Sequence, residues 1–248
     1  MNKLKLNYTS LSFLPILVCI PLGYQLVNNI HFGGFKLFQE FLISAFNPKI
    51  DNEIIITVIN RLNETILIGF FSWLVSIIFG AIFGIISSNI FYKIFNIPNF
   101  FYRIIRFFLT IIRSIHEVVW GIVLMQIYGI NFSIGIIAIC IPYIAVNSKV
   151  FAEQLETIDY KSFESINQIN APKFSSLLTL IWNPIINTFK NFGLYRLECS
   201  IRSTVILGLF GIGGIGTSIF LSFQTLNFRE LWTYLWSLAI LIILSGLI

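Results

Sequence analysis

This chain of 248 residues is too poor in charged residues to be an ordinary soluble protein. Asp, Glu, Lys and Arg make up 11% of it, whereas soluble globular proteins carry about 25%. Apolar residues account for 56%, aromatic residues for 16%, and the mean hydropathy is +0.86. This composition excludes a soluble domain, a disordered segment and a disulfide scaffold, and it indicates a chain surrounded largely by lipid.

The cysteines and the net charge narrow the class further. Cys19, Cys140 and Cys199 are far apart in apolar stretches, which provides neither metal-ligand spacing nor a disulfide framework. The net charge is +5, but the basic residues form no run and lie mostly beside hydrophobic segments, where they attract anionic lipid and set orientation. We therefore expect no metal, no cofactor and no nucleic-acid partner.

Six stretches approach the roughly 20 apolar residues that a membrane-spanning helix needs. In chain order they cover about residues 11–27, 65–88, 104–127, 132–151, 185–209 and 231–248. The first contains Pro15 and Pro21 and has no small-x-small cleavage site, so we interpret it as a helix and not as a signal peptide. The sequence thus predicts an all-α membrane protein with six transmembrane helices and a single domain over residues 1–248.

Local patterns add detail to this outline. Gly80 and Gly84 form a small-xxx-small notch in the second span, which fits internal packing and dimerisation equally well. The short connection over residues 128–131 predicts that the third and fourth spans form an antiparallel hairpin. The stretch over residues 28–64 predicts a short amphipathic helix between the first two spans.

The orientation follows from the basic residues that flank the spans. With a cytoplasmic N-terminus, nine lie on the inside: Lys3, Lys5, Lys93, Arg103, Arg106, Lys149, Lys161, Lys173 and Lys190. Four lie on the outside: Lys36, Lys49, Arg61 and Arg229. Because basic residues concentrate on the cytoplasmic side, this distribution predicts a bacterial inner-membrane protein with both termini in the cytoplasm.

Several enzyme motifs are excluded by their surroundings. The chain contains no Gly-Lys pair, which excludes a Walker phosphate-binding loop. Residues 211–216 match G-x-G-x-x-G, but they follow an apolar helix and have no acidic residue about 20 positions later, so we expect irregular, tightly packed backbone there. His116 and Glu117 begin an H-E-x-x-H pattern that fails because the fifth position is Trp120.

Charged residues inside the spans are the candidate functional residues, since each costs at least about 2.5–3.5 kcal/mol at a helix centre without a partner or a wet cavity. The spacing of Arg113, His116 and Glu117 predicts one shared face of the third helix. In the fifth span, Glu198 and Arg202 are spaced to pair, and Arg196 lies nearby. These six residues are either internal packing pairs or the lining of a path for a small anion, for which guanidinium is a natural partner.

A polar segment over residues 153–183 is the remaining feature. It begins as a short amphipathic helix, breaks at Pro172 and then returns to apolar sequence. Its predicted place on the inner face fits either a docking helix or a solvated loop without a partner.

The sequence resembles the permease subunit of a phosphonate-type ABC transporter. The resemblance covers roughly residues 60–248. In the docking segment it lies in Glu164-Ser165-Ile166, Asn170-Ala171-Pro172 and Pro184, which follow the E-A-A loop spacing of importer permeases with one extra residue, although Asn170 and Asn183 replace the usual Gly and Leu. Two further stretches, residues 113–120 and 195–216, are similar to the phosphonate branch.

This resemblance implies a type I importer (MetI-like) permease fold and a role without catalysis. The implied partners are a separate ATP-binding subunit, a periplasmic substrate-binding protein and a second protomer in a homodimer. Glu164, Asn170, Ala171 and Pro172 would couple the chain to the ATPase, and phosphonate, phosphite or phosphate would cross by alternating access. Two other classes stay open: a proton-coupled secondary transporter or channel that uses the same charged residues, and an intramembrane enzyme at His116 and Glu117.

Overall fold

The computed structural model describes residues 21, 34–158 and 172–246. The chain divides into two compact units, Met1–Asn47 and Pro48–Ile248. The first unit contains one described helix of more than a single residue, α1 (Gly34–Ser44), which is the short helix predicted between the first two spans. The first predicted span lies outside the described residues apart from Pro21.

The second unit is helical throughout its described part. Its elements are α2 (Asn52–Ser87), α3 (Asn89–Phe95), α4 (Phe100–Ser114), α5 (Glu117–Tyr128), α6 (Phe132–Glu156), α7 (Lys173–Thr188), a π-helical turn (Phe189–Gly193), α8 (Leu194–Gly208), α9 (Ile215–Gln224) and α10 (Phe228–Gly246). Many of their large apolar side chains are exposed, including Phe70, Phe79, Phe108, Ile137 and Ile243. Such a surface suits lipid, because hydrocarbon does not penalise exposed apolar groups.

Three helices among the described residues are long and apolar enough to cross a membrane: α2, α6 and α10. They correspond to the second, fourth and sixth predicted spans. Helix α2 begins at Asn52 instead of residue 65, because polar residues such as Asn60 and Arg61 are excluded by a hydropathy criterion but continue a helix without difficulty.

The third predicted span is broken, which corrects the single helix expected over residues 104–127. The axes of helices α4 and α5 differ by 84° at this break. Neither helix is long enough to be a span alone, but the two together are. The break is at Ile115, whose backbone is extended at φ −93° and ψ 123°. The His116 side chain then starts α5 by accepting a hydrogen bond from the Val118 N–H.

The fifth predicted span also differs from expectation, because helical structure begins at Lys173 and not at residue 185. It continues through α7, the π-helical turn and α8 to Gly208. The segment expected to be polar over residues 153–183 is therefore helical at both ends, with α6 running to Glu156. At the π-helical turn, the Trp73 Nε1–H donates to the Gly193 carbonyl over 2.6 Å, which anchors the turn to α2.

Among the described helices, α2 and α6 form the most extensive pair, and they run parallel. Cys140 lies beside Ser72, and Asn147 beside Ser76 and Gly80, so residue numbers rise together along both helices. A Cβ on Gly80 would lie 2.5 Å from the Asn147 Cβ, which real side chains do not tolerate. The glycine notch therefore serves internal packing.

The glycine-rich segment after α8 has the irregular, tightly packed backbone that we predicted. Gly211, Gly213 and Gly214 have positive φ, at 93°, 121° and 76°. Two side chains of α2 satisfy the N–H groups that start α9: the Glu64 carboxylate accepts from Gly214 and the Thr65 hydroxyl from Ile215, each over 2.9 Å. These backbone N–H groups are thus hydrogen-bonded within the protein, as irregular backbone in a membrane protein requires.

Candidate functional site

A polar network joins α5, α6 and α8 in the interior of the helix bundle. The Ser203 hydroxyl donates to Glu117 Oε1 over 2.6 Å, and the Tyr143 oxygen lies 2.8 Å from the Ser203 oxygen. Because Ser203 gives its proton to the carboxylate, Tyr143 must donate to Ser203. Tyr143 and Ser203 are buried, so this network is largely shielded from the surroundings.

Arg196 lies against the same network, and no carboxylate of the described residues pairs with it. Its Cζ is 3.8 Å from the centroid of the Tyr143 ring, a close cation–π contact. Its Nε and Nη2 are buried and have no hydrogen-bond partner among the described residues. Two buried donors of a permanently charged group are thus left for another acceptor.

The remaining charged residues of α8 form the pair that the sequence predicted. Arg202 donates to Glu198 Oε1 in an i, i+4 ion pair. The Arg202 side chain is half exposed, whereas that of Glu198 is only 20% exposed. The carboxylate of Glu198 is therefore neutralised within its own helix.

The bend at Ile115 separates the three residues expected on one face of the third helix. Arg113 is in the last turn of α4, whereas His116 caps α5 and Glu117 is its first residue. Glu117 faces the interior with a side chain that is 12% exposed, but the His116 side chain is 63% exposed. The expected shared face was wrong, because the spacing rule holds only along an unbroken helix.

Arg113 lines a cavity of about 200 Å³ between α4 and α6. Arg106 and Lys149 line it too. Sequence reasoning had used these two residues only to assign orientation. The available signals were the i, i+7 spacing of Arg106 and Arg113 along α4 and the position of Lys149 near the end of α6. The sequence does not show that these two helices lie side by side, so it could not combine the signals.

The four coupling residues are mostly beyond what the structure describes. Glu164, Asn170 and Ala171 lie outside the described residues. Pro172 precedes α7 as its N-cap residue, and its carbonyl accepts a hydrogen bond from the Ser176 N–H over 3.0 Å. Within residues 34–158 and 172–246, no group of three or more His, Cys, Asp or Glu side chains is arranged to hold a metal ion.

No family model matches the chain, but individual proteins do. The phosphite transport system permease protein PtxC of Stutzerimonas stutzeri is 26% identical over 129 residues, which cover 52% of this chain and 47% of that protein. The phosphate-import permease protein PhnE of Mycolicibacterium smegmatis is 26% identical over 123 residues, covering 50% of this chain and 23% of that protein. The ABC transport system permease protein p69 of Mycoplasma genitalium is 26% identical over 187 residues, covering 75% of this chain and 33% of that protein.

These relatives are longer proteins, and the chain spans less than half the length of each of the three. Among solved structures, a chain of the MetNI methionine ABC transporter in inward-facing conformations matches with a TM-score of 0.68 and 18% identity. The match covers 80% of this chain and 95% of that one.

The fold is therefore that of a multi-pass, all-α membrane protein of the MetI type, as the resemblance implied. In sequence, the chain is similar to permease proteins that are named for phosphite, phosphate and phosphonate transport. The proteins that it resembles are named as permease proteins of transport systems.

Proposed function

We propose that this chain is the permease subunit of an ATP-driven importer for a phosphonate-, phosphite- or phosphate-like oxyanion. The related permeases are named for phosphite and phosphate, which supports this class of substrate. The single domain spans residues 1–248 in a bacterial inner membrane, with both termini in the cytoplasm.

The observation that carries the proposal is the unmatched cation Arg196. Glu117 is hydrogen-bonded to Ser203 and Glu198 is paired with Arg202, so among the described residues neither carboxylate contacts the Arg196 guanidinium. A buried guanidinium with unused donors costs free energy that an oxyanion can offset, because phosphate-type groups match its planar donors. The translocation path of this proposal is lined by Arg113, His116, Glu117, Arg196, Glu198 and Arg202.

The proposed assembly contains two copies of this chain, two ATP-binding subunits and a periplasmic substrate-binding protein. Glu164, Asn170, Ala171 and Pro172 would dock each copy onto an ATPase. Closure of the ATPases would then rock the two protomers between inward-facing and outward-facing states around a fixed path. Covalent chemistry by this chain has no part in the scheme.

The test is oxyanion-stimulated ATP hydrolysis by the reconstituted complex. Arg196→Gln, Arg113→Gln and Arg202→Gln are compared with Arg103→Gln, which removes the same charge from an exposed site. We expect assembled complexes of the first three variants to lose stimulation and the Arg103 variant to keep it. Full stimulation in all of the variants would refute the path.

A proton-coupled transporter is distinguished by its energy source. Under our proposal the chain co-purifies with an ATPase, and uptake stops when that ATPase carries an inactivating substitution. Uptake that continues without ATP hydrolysis and follows the proton gradient would favour the secondary transporter instead.

A further inference from the structure

The cavity between α4 and α6 is lined by charged and hydroxyl groups from both helices. Its polar lining comes from Arg106, Thr110 and Arg113 of α4, from Ser148, Lys149 and Glu153 of α6, and from Ser87 at the end of α2. Its volume of about 200 Å³ is below the roughly 300–1,000 Å³ of sites for drug-sized ligands. The cavity therefore suits a small group and not a large organic molecule.

Two of the three cations in the lining already have carboxylate partners. Arg106 pairs with Glu156, and its Nε–H also donates to the Ser87 carbonyl over 2.8 Å. Lys149 Nζ lies 3.4 Å from Glu153 Oε1. Arg113 forms no hydrogen bond or ion pair with any residue in the described part of the chain, although its side chain is partly buried.

The hydroxyl of Thr110 is also available. Most serines and threonines in these helices donate to a carbonyl three or four residues earlier, as Thr57 and Ser114 do. Thr110 makes no such bond with a described residue, and its side chain is exposed one helical turn from Arg113. The cavity thus offers a guanidinium and a hydroxyl that are both free to donate.

We propose that this cavity binds one phosphate-type oxyanion, held by the Arg113 guanidinium and the Thr110 hydroxyl. A guanidinium donates two parallel hydrogen bonds to such a group, and a hydroxyl adds a third. With Arg106, Lys149, Glu153 and Glu156 counted, the cavity and its nearest partners carry one net positive charge, which an oxyanion neutralises.

The oxyanion has two possible sources with the same chemistry. Helix α4 has one polar stripe, formed by Arg103, Arg106, Thr110 and Arg113, and Phe108 and Ile111 are exposed on its other side. A phospholipid could therefore place its headgroup in the cavity and its acyl chains along the apolar side. A free phosphate or phosphonate presents the same oxygens without the chains.

This inference deepens the proposed function, since Arg113 also belongs to the proposed path, but its test concerns binding by the chain alone and requires neither transport nor an ATPase. Failed uptake would refute the proposed function and leave this site untouched. Failed binding would remove this site at Arg113 and would leave Arg196 and Arg202 to the ATP-hydrolysis test.

The experiment measures both sources on the purified full-length chain. In the first arm, binding of ³²P-labelled orthophosphate and of methylphosphonate is measured in detergent micelles by equilibrium dialysis and calorimetry. In the second arm, the chain is placed in nanodiscs of phosphatidylcholine and phosphatidylglycerol, and the retained phosphatidylglycerol is measured by native mass spectrometry. Both arms compare the unchanged chain with Arg113→Gln and Thr110→Asp, and with Arg103→Gln, which lies on the same helix outside the cavity.

We expect Arg113→Gln to weaken binding at least about tenfold in one arm, since it removes hydrogen bonds to a charged group, and Arg103→Gln to change it by less than about twofold. Weaker binding by the Arg113 variant in the first arm identifies the free anion as the ligand, and weaker binding in the second arm identifies the lipid. Equal losses in the Arg103 and Arg113 variants, or unchanged binding in both arms, would overturn the proposal. If Arg113→Gln does not fold, the exposed Thr110→Asp decides, because a carboxylate in the cavity must expel an anion and unchanged binding would refute the site.

Discussion

The hydroxyl of Ser203 donates a 2.6 Å hydrogen bond to the carboxylate of Glu117, joining helices whose residues are 86 positions apart in the chain. The same Ser203 oxygen accepts a bond from Tyr143, so one small side chain satisfies two partners. This arrangement gives a buried carboxylate a neutral partner and leaves the nearby Arg196 without one. The Glu117 carboxylate and the Arg196 guanidinium therefore lie near the same Tyr143 side chain, and no direct ion pair joins them among the described residues.

Ser203→Ala tests the stabilising role of this network. The substitution leaves the Glu117 carboxylate and the Tyr143 hydroxyl without their partner, which we expect to cost about 1–3 kcal/mol. The apparent Tm of the purified chain in detergent should fall. Ser114→Ala is the matched control, because the Ser114 hydroxyl is exposed and donates only to the Ile111 carbonyl within its own helix. Equal Tm values for the two variants would contradict a structural role of the network.

Gly80→Ala tests the close contact between α2 and α6. The added methyl would lie 2.5 Å from the Asn147 Cβ, so the helices must separate at a cost of about 1–3 kcal/mol. Gly34→Ala is the control, because a Cβ at Gly34 has no neighbour within 4 Å among the residues that the structure describes. There the better helix propensity of alanine should be neutral or stabilising. The comparison is made by thermal unfolding and by the yield of folded protein, and an unchanged Gly80 variant would show that the contact is not as close as described.

Glu164→Lys tests the proposed coupling to an ATPase. A docking helix passes on movement only while it is held in its groove, so reversing an acidic anchor should abolish ATP-driven uptake without preventing membrane insertion. The readouts are uptake of labelled substrate and the amount of chain in the membrane fraction. Glu53→Lys reverses a charge at an exposed position in the first turn of α2 and should retain uptake. Normal uptake by the Glu164 variant would remove the residue from the coupling contact.

The orientation of the chain is tested with reporter fusions. Nine basic residues on one side against four on the other predict that a reporter placed after Lys161 is cytoplasmic and that one placed near Lys49 is periplasmic. Alkaline phosphatase and green fluorescent protein give opposite signals on the two sides of the membrane, so each fusion serves as a control for the other. Reversed signals would show that the number of spans or their direction is different.

The sequence by itself determined the lipid environment, the second, fourth and sixth spans, and the pair formed by Glu198 and Arg202. These features depend on composition, on runs of apolar residues and on positions one helical turn apart, all of which are local properties of the chain. The irregular backbone at Gly211 to Gly214 was predictable for the same reason, since successive glycines next to an apolar helix remove the usual constraint on φ.

Only the tertiary structure decided which charged side chains meet. The break at Ile115 turns Arg113 away from Glu117, and such a bend depends on the cap at His116 and on the helices packed around it. The contacts of Ser203 with Glu117, and of Arg196 with Tyr143, depend on the rotation and axial position of whole helices. A shift of one residue rotates a helical side chain by about 100°, so residues far apart in sequence come together only when the packing of the helices sets both quantities.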